Sequence, residues 1–556
     1  MILTAIGLAA AGVLWNAERS FEHLRLAGAA FCFCIAALLL AVGDPERATV
    51  LALVIVAAVH GASALKYAHS GLKLTMTDLP LLLAGTVPFF FVQYPLAVTA
   101  ALTGLFGLIA VTVIALLYLP GTPIPLAAQM AFLGLAALGL ALAYRSSGGA
   151  TALQRISAQP RCFFSTFVAS LLDPRSWRQF GGFVLSDIAD DPLPLLPATP
   201  AKRPTYPDII VIQHESIFDP RLYGLPVGPL LDDFLTPPQG LHGRLNVDIF
   251  GGGSWQSEFS LLTGLSSASF GSNGYFLFER GAGCFHHSLP KTLATLGYTT
   301  TLTSSCRRGF LNYDNFYREI GMRERIFTDD LPAPFDVDTF EATNSDSAFL
   351  QAALDLHADA IDKGSGPRFL YMLTNYNHGP HSRRLVAAGQ FERQRAFAMA
   401  SLPDATYAEY YARLVETADT WRKLKADLVA RFPDRPMLVI HYGDHQPVMT
   451  RRIQSRLQLA SDARRQFQTF YAIEMLNDPT ASAATGRGPD LDIAFLGTVA
   501  LQHAGLPLDP IFATRASLRE QCGETYFAST SERKRRFHRT LVDLGLIDIG
   551  QPARGQ

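Results

Sequence analysis

The sequence predicts two joined architectures: an N-terminal α-helical transmembrane bundle and a C-terminal α/β sandwich with a mainly parallel sheet. Three observations carry this. Charge is scarce at the front, where the only charged residues between Met1 and Tyr144 are Glu18, Arg19, Glu22, Arg25, Asp44, Glu46, Arg47, Lys66, Lys73 and Asp78. Apolar runs long enough for a hydrocarbon core, which takes about 20 residues per helix, recur in that stretch. After Pro207, short apolar runs alternate with helical stripes, as in a sheet covered by helices. At 556 residues the chain exceeds one ordinary domain. Its net charge of −1 is uninformative about partners, and no nucleic-acid partner is expected.

The spans come first. Leu24–Val42, Ala48–Leu65, Ala97–Leu119 and Ile124–Tyr144 are each long and apolar enough to cross. Ile2–Trp15 is short but apolar throughout, and without a basic start or cleavage site it reads as a retained first span rather than a signal peptide. Leu79–Tyr94 either spans or lies at the interface, because Pro80, Pro88 and Pro95 interrupt or flank it. The expectation is five or six spans within residues 1–145. Five with an inside N-terminus, or six with an outside one, both put the C-terminal domain outside the cytoplasm. The positive-inside rule favours six, with Arg19, Arg25, Lys66 and Lys73 facing in.

Residues 146–206 read as a juxtamembrane segment and linker. Phe163–Leu172 is apolar enough to lie on the membrane surface, and the prolines from Pro192 to Pro207 give an extended, stiff chain. Residues 207–545 form the catalytic domain and 546–556 a tail. Among the cysteines, Cys284 and Cys306 are the nearest pair in the soluble part. An extracytoplasmic site permits their disulfide, and two buried free thiols are the alternative.

The α/β elements follow in order. Asp208–Gln213 reads DIIVIQ, a run fit for a strand buried on both faces. Leu289–Leu296 is a helix closed by Gly297, and Tyr298–Thr303 a strand. Ser345 caps a helix to about Asp362. Arg368–Thr374 is a strand; Leu414, Ala418, Trp421, Leu424 and Leu428 make a helical stripe; Met437–His441 and Phe470–Met475 are strands. In such sheets ligands bind beyond the carboxyl ends of the strands.

Four polar clusters sit where those strands end. Glu215 follows the first strand, Ser254 follows Gly251-Gly252-Gly253, His378 follows the strand ending at Thr374, and Asp444-His445 follows MLVIHYG. Two carboxylates, a hydroxyl and an imidazole suit Zn²⁺ or Mn²⁺ better than Ca²⁺, with Mg²⁺ a further option. The glycines let backbone approach a ligand closely, and a helix starting near Trp255 aims its N–H groups at the same point. Ser254 is therefore either a covalent nucleophile activated by a metal or a helix N-cap.

With these residues in place, the soluble part resembles the sulfatase-like branch of the alkaline phosphatase superfamily. More closely, it is similar to lipoteichoic acid synthases and to the phosphoglycerol transferases of periplasmic glucans, over about Asp208 to Leu476. Family members end the first strand on a Glu, as Glu215 does. They place the nucleophile, usually Thr, in a Gly-rich turn before Ser-Glu-Phe, here Ser254 before Ser257-Glu258-Phe259. They carry Asp-His after Tyr-Gly, here Asp444-His445 after Tyr442-Gly443. The resemblance implies one metal centre of Glu215, Ser254, Asp444 and His445, with His378 on the substrate phosphate and Arg318 on the head group. It implies a phosphoglycerol transferase of the bacterial cytoplasmic membrane, with its catalytic domain in the periplasm, a phospholipid donor and a glycan or lipid acceptor. Phosphoethanolamine transfer and phosphodiester hydrolysis are the alternatives; a degenerate sensor is disfavoured by retention of the metal-centre set. Ser replaces Thr at 254, Phe316-Tyr317-Arg318 departs from the aromatic-Asn-Arg triplet, and Cys306-Arg307-Arg308 stands where relatives often carry His. The Cys/Ser-x-Pro-x-Arg signature of true sulfatases is absent at Ser254. His286-His287 and the basic run Arg533–Arg539 read as solvated surface rather than as metal or lipid sites.

Overall fold

The structure is a computed structural model that describes residues 21–70, 73–79, 95–118, 121–331, 345–478 and 485–549, apart from single positions within them, together with residues 12, 14 and 18. The chain divides into two compact units, Met1–Gly181 and Gly182–Gln556.

The first unit is helical. Helices α1 (Phe21–Val42), α2 (Pro45–Ser70), α3 (Pro95–Tyr118) and α4 (Leu126–Ser146) contain four segments long and apolar enough to cross a membrane. The protein is thus a multi-pass membrane protein with a large extramembranous unit. Two of the expected spans, Ile2–Trp15 and Leu79–Tyr94, lie outside the described residues save Gly12, Leu14 and Leu79. Helix α5 (Phe163–Leu172) packs on these helices: Phe164, Val168 and Ala169 are buried with residues of α1 and α2 in one apolar cluster. Its N-terminus leaves free N–H groups, and the buried carboxylate of Glu18 accepts from Phe164 N (2.9 Å), Ser165 N (3.4 Å) and the Ser165 hydroxyl.

The second unit is built on a nine-stranded sheet. Its strands are β1 (Asp208–His214), β2 (Leu241–Asn246), β3 (Thr299–Ser304), β4 (Glu324–Ile326), β5 (Arg368–Leu373), β6 (Met437–Gly443), β7 (Gln468–Leu476), β8 (Gly486–Arg487) and β9 (Leu491–Asp492). Their order is β4-β3-β5-β1-β6-β7-β2-β8, with β9 also on β2. Only β7 runs against its neighbours; every other pairing is parallel. The continuous apolar run of β1 has its cause in helices on both faces. Ile209 and Val211 enter one core cluster, Ile210 and Ile212 the other. The first core also takes Phe259 and Phe495, the second Leu414, Trp421 and Leu428 of the expected stripe.

Residues 182–206 pack on this unit. Leu193 N donates to Arg536 O (3.1 Å), and Thr199 pairs with Leu508 through two backbone hydrogen bonds. The basic run takes part in this packing: Lys534 reaches Asp187 (2.8 Å) and Arg536 reaches Asp191 (2.8 Å). All six cysteines are free, so Cys284 and Cys306 are not bonded to each other.

Candidate metal centre

Strands β1, β2, β5 and β6 run in one direction, so their carboxyl ends share an edge. Glu215 follows β1 directly, and Asp444 and His445 follow β6. Strand β2 leads through 247–253 to helix α6 (Trp255–Thr263), which opens at Ser254. The connection is tight because Gly251, Gly252 and Gly253 all have positive φ (83°, 140° and 92°), which side chains resist. Gly251 N then donates to Gln446 O (2.9 Å), tying the turn to the loop after β6. Gly443 serves a second close approach. A Cβ there would stand 1.9 Å from Ile217 O, so only glycine lets the loop after β1 press against the end of β6.

The result brings together residues far apart in the chain. Ligand atoms of Glu215, Asp444 and His445 all lie within 4.8 Å of one another, and all three residues are buried. Ser254 Oγ donates to Glu215 Oε2 (2.8 Å) and stands 3.4 Å from His445 Nε2. The Ser254 side chain makes no capping hydrogen bond to its helix. Its hydroxyl is aimed at the acidic cluster instead.

The donor set suits a divalent cation. Asp444 Oδ1 accepts from Ser216 N and His445 N (both 2.7 Å), whereas Oδ2 is buried without a hydrogen bond, 3.6 Å from His445 Nε2. His445 Nδ1 donates to Gln446 O (3.2 Å), which turns Nε2 toward the carboxylates, 3.3 Å from Glu215 Oε1, the nitrogen a cation would take once it gives up its proton. The electrostatics agree. Burial, reinforced by the Glu215 charge, pushes the Asp444 carboxyl well above its usual range. Burial also opposes ionisation of Glu215, but His445 beside it outweighs that and holds the carboxyl low. Burial would lower His445, yet Asp444 and Glu215 raise it to about 9. Two buried carboxylates balanced by one proton-hungry imidazole form a site that a dication would relieve.

The remaining expected residues are placed differently. His378 lies half-buried on the loop after β5, near enough to lower the Glu215 carboxyl. Its loop is held by the fully buried guanidinium of Arg413, which donates to His378 O (3.1 Å) and Arg383 O (2.6 Å). Arg318 is on the helix Tyr313–Glu319, more than half exposed, partnered by Glu319 (3.1 Å) and Asn315; its contacts do not join it to the four-residue centre. Arg308 is committed to Asp314 (2.7 Å) and Asp330 (2.6 Å). His286 and His287 pair with Asp548 and Asp509 (2.9 Å each).

Beneath the centre lies a polar network that strand-end reasoning missed. Glu258, on α6, accepts from Gln213 Nε2 (3.0 Å), Tyr313 OH (3.3 Å) and Tyr317 OH. Gln213 in turn accepts from Tyr371 (3.1 Å) and Tyr442. Burial raises Glu258 to about 7 despite these donors. The network joins β1, β5, β6 and α6, the elements that carry Glu215, His378, Asp444 and Ser254. Its only sequence signal was the Glu of the Ser-Glu-Phe triplet.

Residues 207–470 match the sulfatase family. An uncharacterized protein of Haemophilus influenzae is 25% identical over 316 residues, 55% of this chain and 55% of that protein, so the match spans about half of the relative's length. Among solved structures, the chain is similar to the phosphoglycerol transferase GacH of Streptococcus pyogenes (17% identity, 62% of this chain and 87% of that one, TM-score 0.48). It is also similar to the lipoteichoic acid synthase LtaP of Listeria monocytogenes (15%, 54% and 72%, TM-score 0.41). A third is the lipooligosaccharide phosphoethanolamine transferase A of Neisseria meningitidis (12%, 98% and 96%, TM-score 0.47).

Proposed function

We propose that the chain, whose residues 207–470 match the sulfatase family, is a membrane-anchored phosphoglycerol transferase of the alkaline phosphatase superfamily. The donor is a phospholipid such as phosphatidylglycerol and the acceptor a hydroxyl of a glycan or lipid. Ser254 is the covalent nucleophile, and the catalytic unit lies outside the cytoplasm. The observation that carries the reading is the Ser254 hydroxyl, turned away from its helix and held 2.8 Å from Glu215 Oε2.

Ser254 Oγ attacks the phosphodiester phosphorus, the bond to the diacylglycerol oxygen breaks, and that oxygen leaves as the alcohol with the proton that Ser254 gives up through Glu215. The proton of Ser254 is already directed at Glu215 Oε2. The N-terminal end of α6, which opens at Ser254, favours the negative charge of the phosphate. His378 Nδ1 donates to Gly379 O (2.8 Å), and Nε2 donates to a phosphate oxygen when it too carries a proton. An acceptor hydroxyl then displaces Ser254 and carries the phosphoglycerol group away. A divalent cation held by Glu215, Asp444, His445 and Ser254, Zn²⁺ or Mn²⁺ by donor type, supplies stabilisation of charge on the attacking and leaving oxygens. The membrane anchor keeps the site near its lipid donor.

The test is diacylglycerol release from labelled phosphatidylglycerol by full-length protein in lipid vesicles. Ser254→Ala of verified fold is expected to lose nearly all release, whereas loss of a cap alone would cost about 1 kcal/mol of stability and leave turnover intact. Ser254→Thr is expected to retain activity. Near-normal release by Ser254→Ala would end the nucleophile assignment. Faster release from phosphatidylethanolamine would replace the donor, and release of free glycerol phosphate with no acceptor product would make the protein a hydrolase.

A further inference from the structure

We infer that Ser216 is a positioning residue of the metal centre, whose hydroxyl and backbone N–H together set the orientation of both acidic ligands. The inference rests on the metal-centre reading above and concerns a residue that contributes no ligand atom itself.

Every polar group of Ser216 is used. Its Oγ donates to Glu215 Oε1 (2.7 Å), and its N–H donates to Asp444 Oδ1 (2.7 Å). Its carbonyl accepts from Tyr410 OH (2.8 Å). The hydroxyl therefore occupies the Glu215 oxygen that Ser254 does not, since Ser254 Oγ uses Oε2. The N–H occupies one Asp444 oxygen and leaves Oδ2, which makes no hydrogen bond and faces His445 Nε2 at 3.6 Å, for a cation.

The backbone argues in the same direction. Ser216 has φ +55°, a left-handed conformation that a residue with a side chain adopts under strain. Glycine would meet that turn without strain but carries no hydroxyl. The conformation is what allows one residue to face two carboxylates from adjoining strands. It is enforced from two sides: Gly443 admits Ile217 O against β6, and Tyr410 holds the Ser216 carbonyl. Tyr410 is itself stacked on Phe218 (5.5 Å between centroids) and lies edge-on to His381 (5.0 Å). It belongs to the long helix Ala405–Arg431, which also supplies the Arg413 that grips the His378 loop. One helix thus supports both the acidic ligands and the histidine-bearing loop.

The experiment is a Zn²⁺ titration of the full-length protein in detergent, in competition with a chromophoric chelator, with thermal unfolding of the metal-free form measured alongside. Ser216→Gly keeps the turn and removes the hydroxyl; Ser216→Ala removes the hydroxyl and keeps the strain. Both are expected to bind Zn²⁺ about 10- to 100-fold more weakly, as loss of an outer partner of a metal ligand does. Metal-free Ser216→Gly is expected to unfold no earlier than the parent. Affinity of Ser216→Gly within twofold of the parent would overturn the inference while leaving the metal centre intact. An affinity loss matched by early unfolding of the metal-free variant would overturn it too, by making Ser216 merely structural. A parent protein that binds no Zn²⁺ would reject the metal centre itself, and the inference with it.

Discussion

Asp444 and His445 show how a buried cluster prepares for a cation. One Asp444 oxygen accepts two hydrogen bonds and the other accepts none, so the residue is held in place with lone pairs to spare. Asp444→Asn keeps an oxygen but loses the charge. Zn²⁺ affinity, read by titration of the purified protein, is expected to fall by roughly 100-fold or more, beyond the range seen for outer partners; unchanged affinity would remove Asp444 from the ligand set. The His445 imidazole gives a pH signature. Its neighbours raise it to about 9 in the metal-free protein, so at pH 7 it is protonated and must lose that proton to bind. Apparent Zn²⁺ affinity is therefore expected to rise at least about tenfold per unit between pH 7 and 9, because the raised Asp444 carboxyl must also be free of its proton to bind. Calorimetry in buffers of different ionisation enthalpy reads the proton release directly. Binding without release of at least one proton would exclude His445 as a ligand.

The turn 251–253 and helix α6 act as one device. The turn brings the chain from a sheet edge to the neighbourhood of β6, and the helix fastens its start through Ser257 Oγ, which donates to Asp444 O (2.6 Å). Gly253 has φ +92°, and a Cβ there would meet Gln256 Nε2 at 3.1 Å and Ile249 Cγ1 at 3.2 Å. Gly253→Ala is expected to cost about 1–2 kcal/mol, visible as a lowered unfolding midpoint, and to impair turnover further by shifting Ser254. An unchanged midpoint with full activity would show that the turn tolerates a side chain and does not set the serine. The run of three glycines was visible in the sequence. Its partner Gln446 was not, because no local pattern marks a backbone carbonyl that will receive a distant N–H.

For the whole molecule, the helical unit and the sheet-based unit are each compact. A lipid-using enzyme needs both, one for the bilayer and one for the chemistry. The topology follows from the proposed function. Protease added to cells with a permeabilised outer layer is expected to cleave beyond Pro207, with the cytoplasmic membrane intact. Full protection of that unit would place it in the cytoplasm and discard glycan acceptors outside.

The amino-acid sequence by itself determined the membrane half, the parallel sheet and the four residues of the candidate centre. These are written locally: span length and scarcity of charge, continuous apolar strands such as DIIVIQ, and polar residues placed just past strand ends. The tertiary structure decided what depends on partners distant in the chain. Helix α5 buries Phe164, Val168 and Ala169 against α1 and α2, and Glu18, distant in sequence, accepts from its first N–H groups. Arg318 matched a motif position but faces solvent beside Glu319. Ser216, Gln446 and Arg413 carry no motif at all. Their roles arise when adjoining strands and one long helix bring a hydroxyl, an amide and a guanidinium to carboxylates and carbonyls that otherwise lack partners, and hydrogen bonding at that range leaves no periodicity to read.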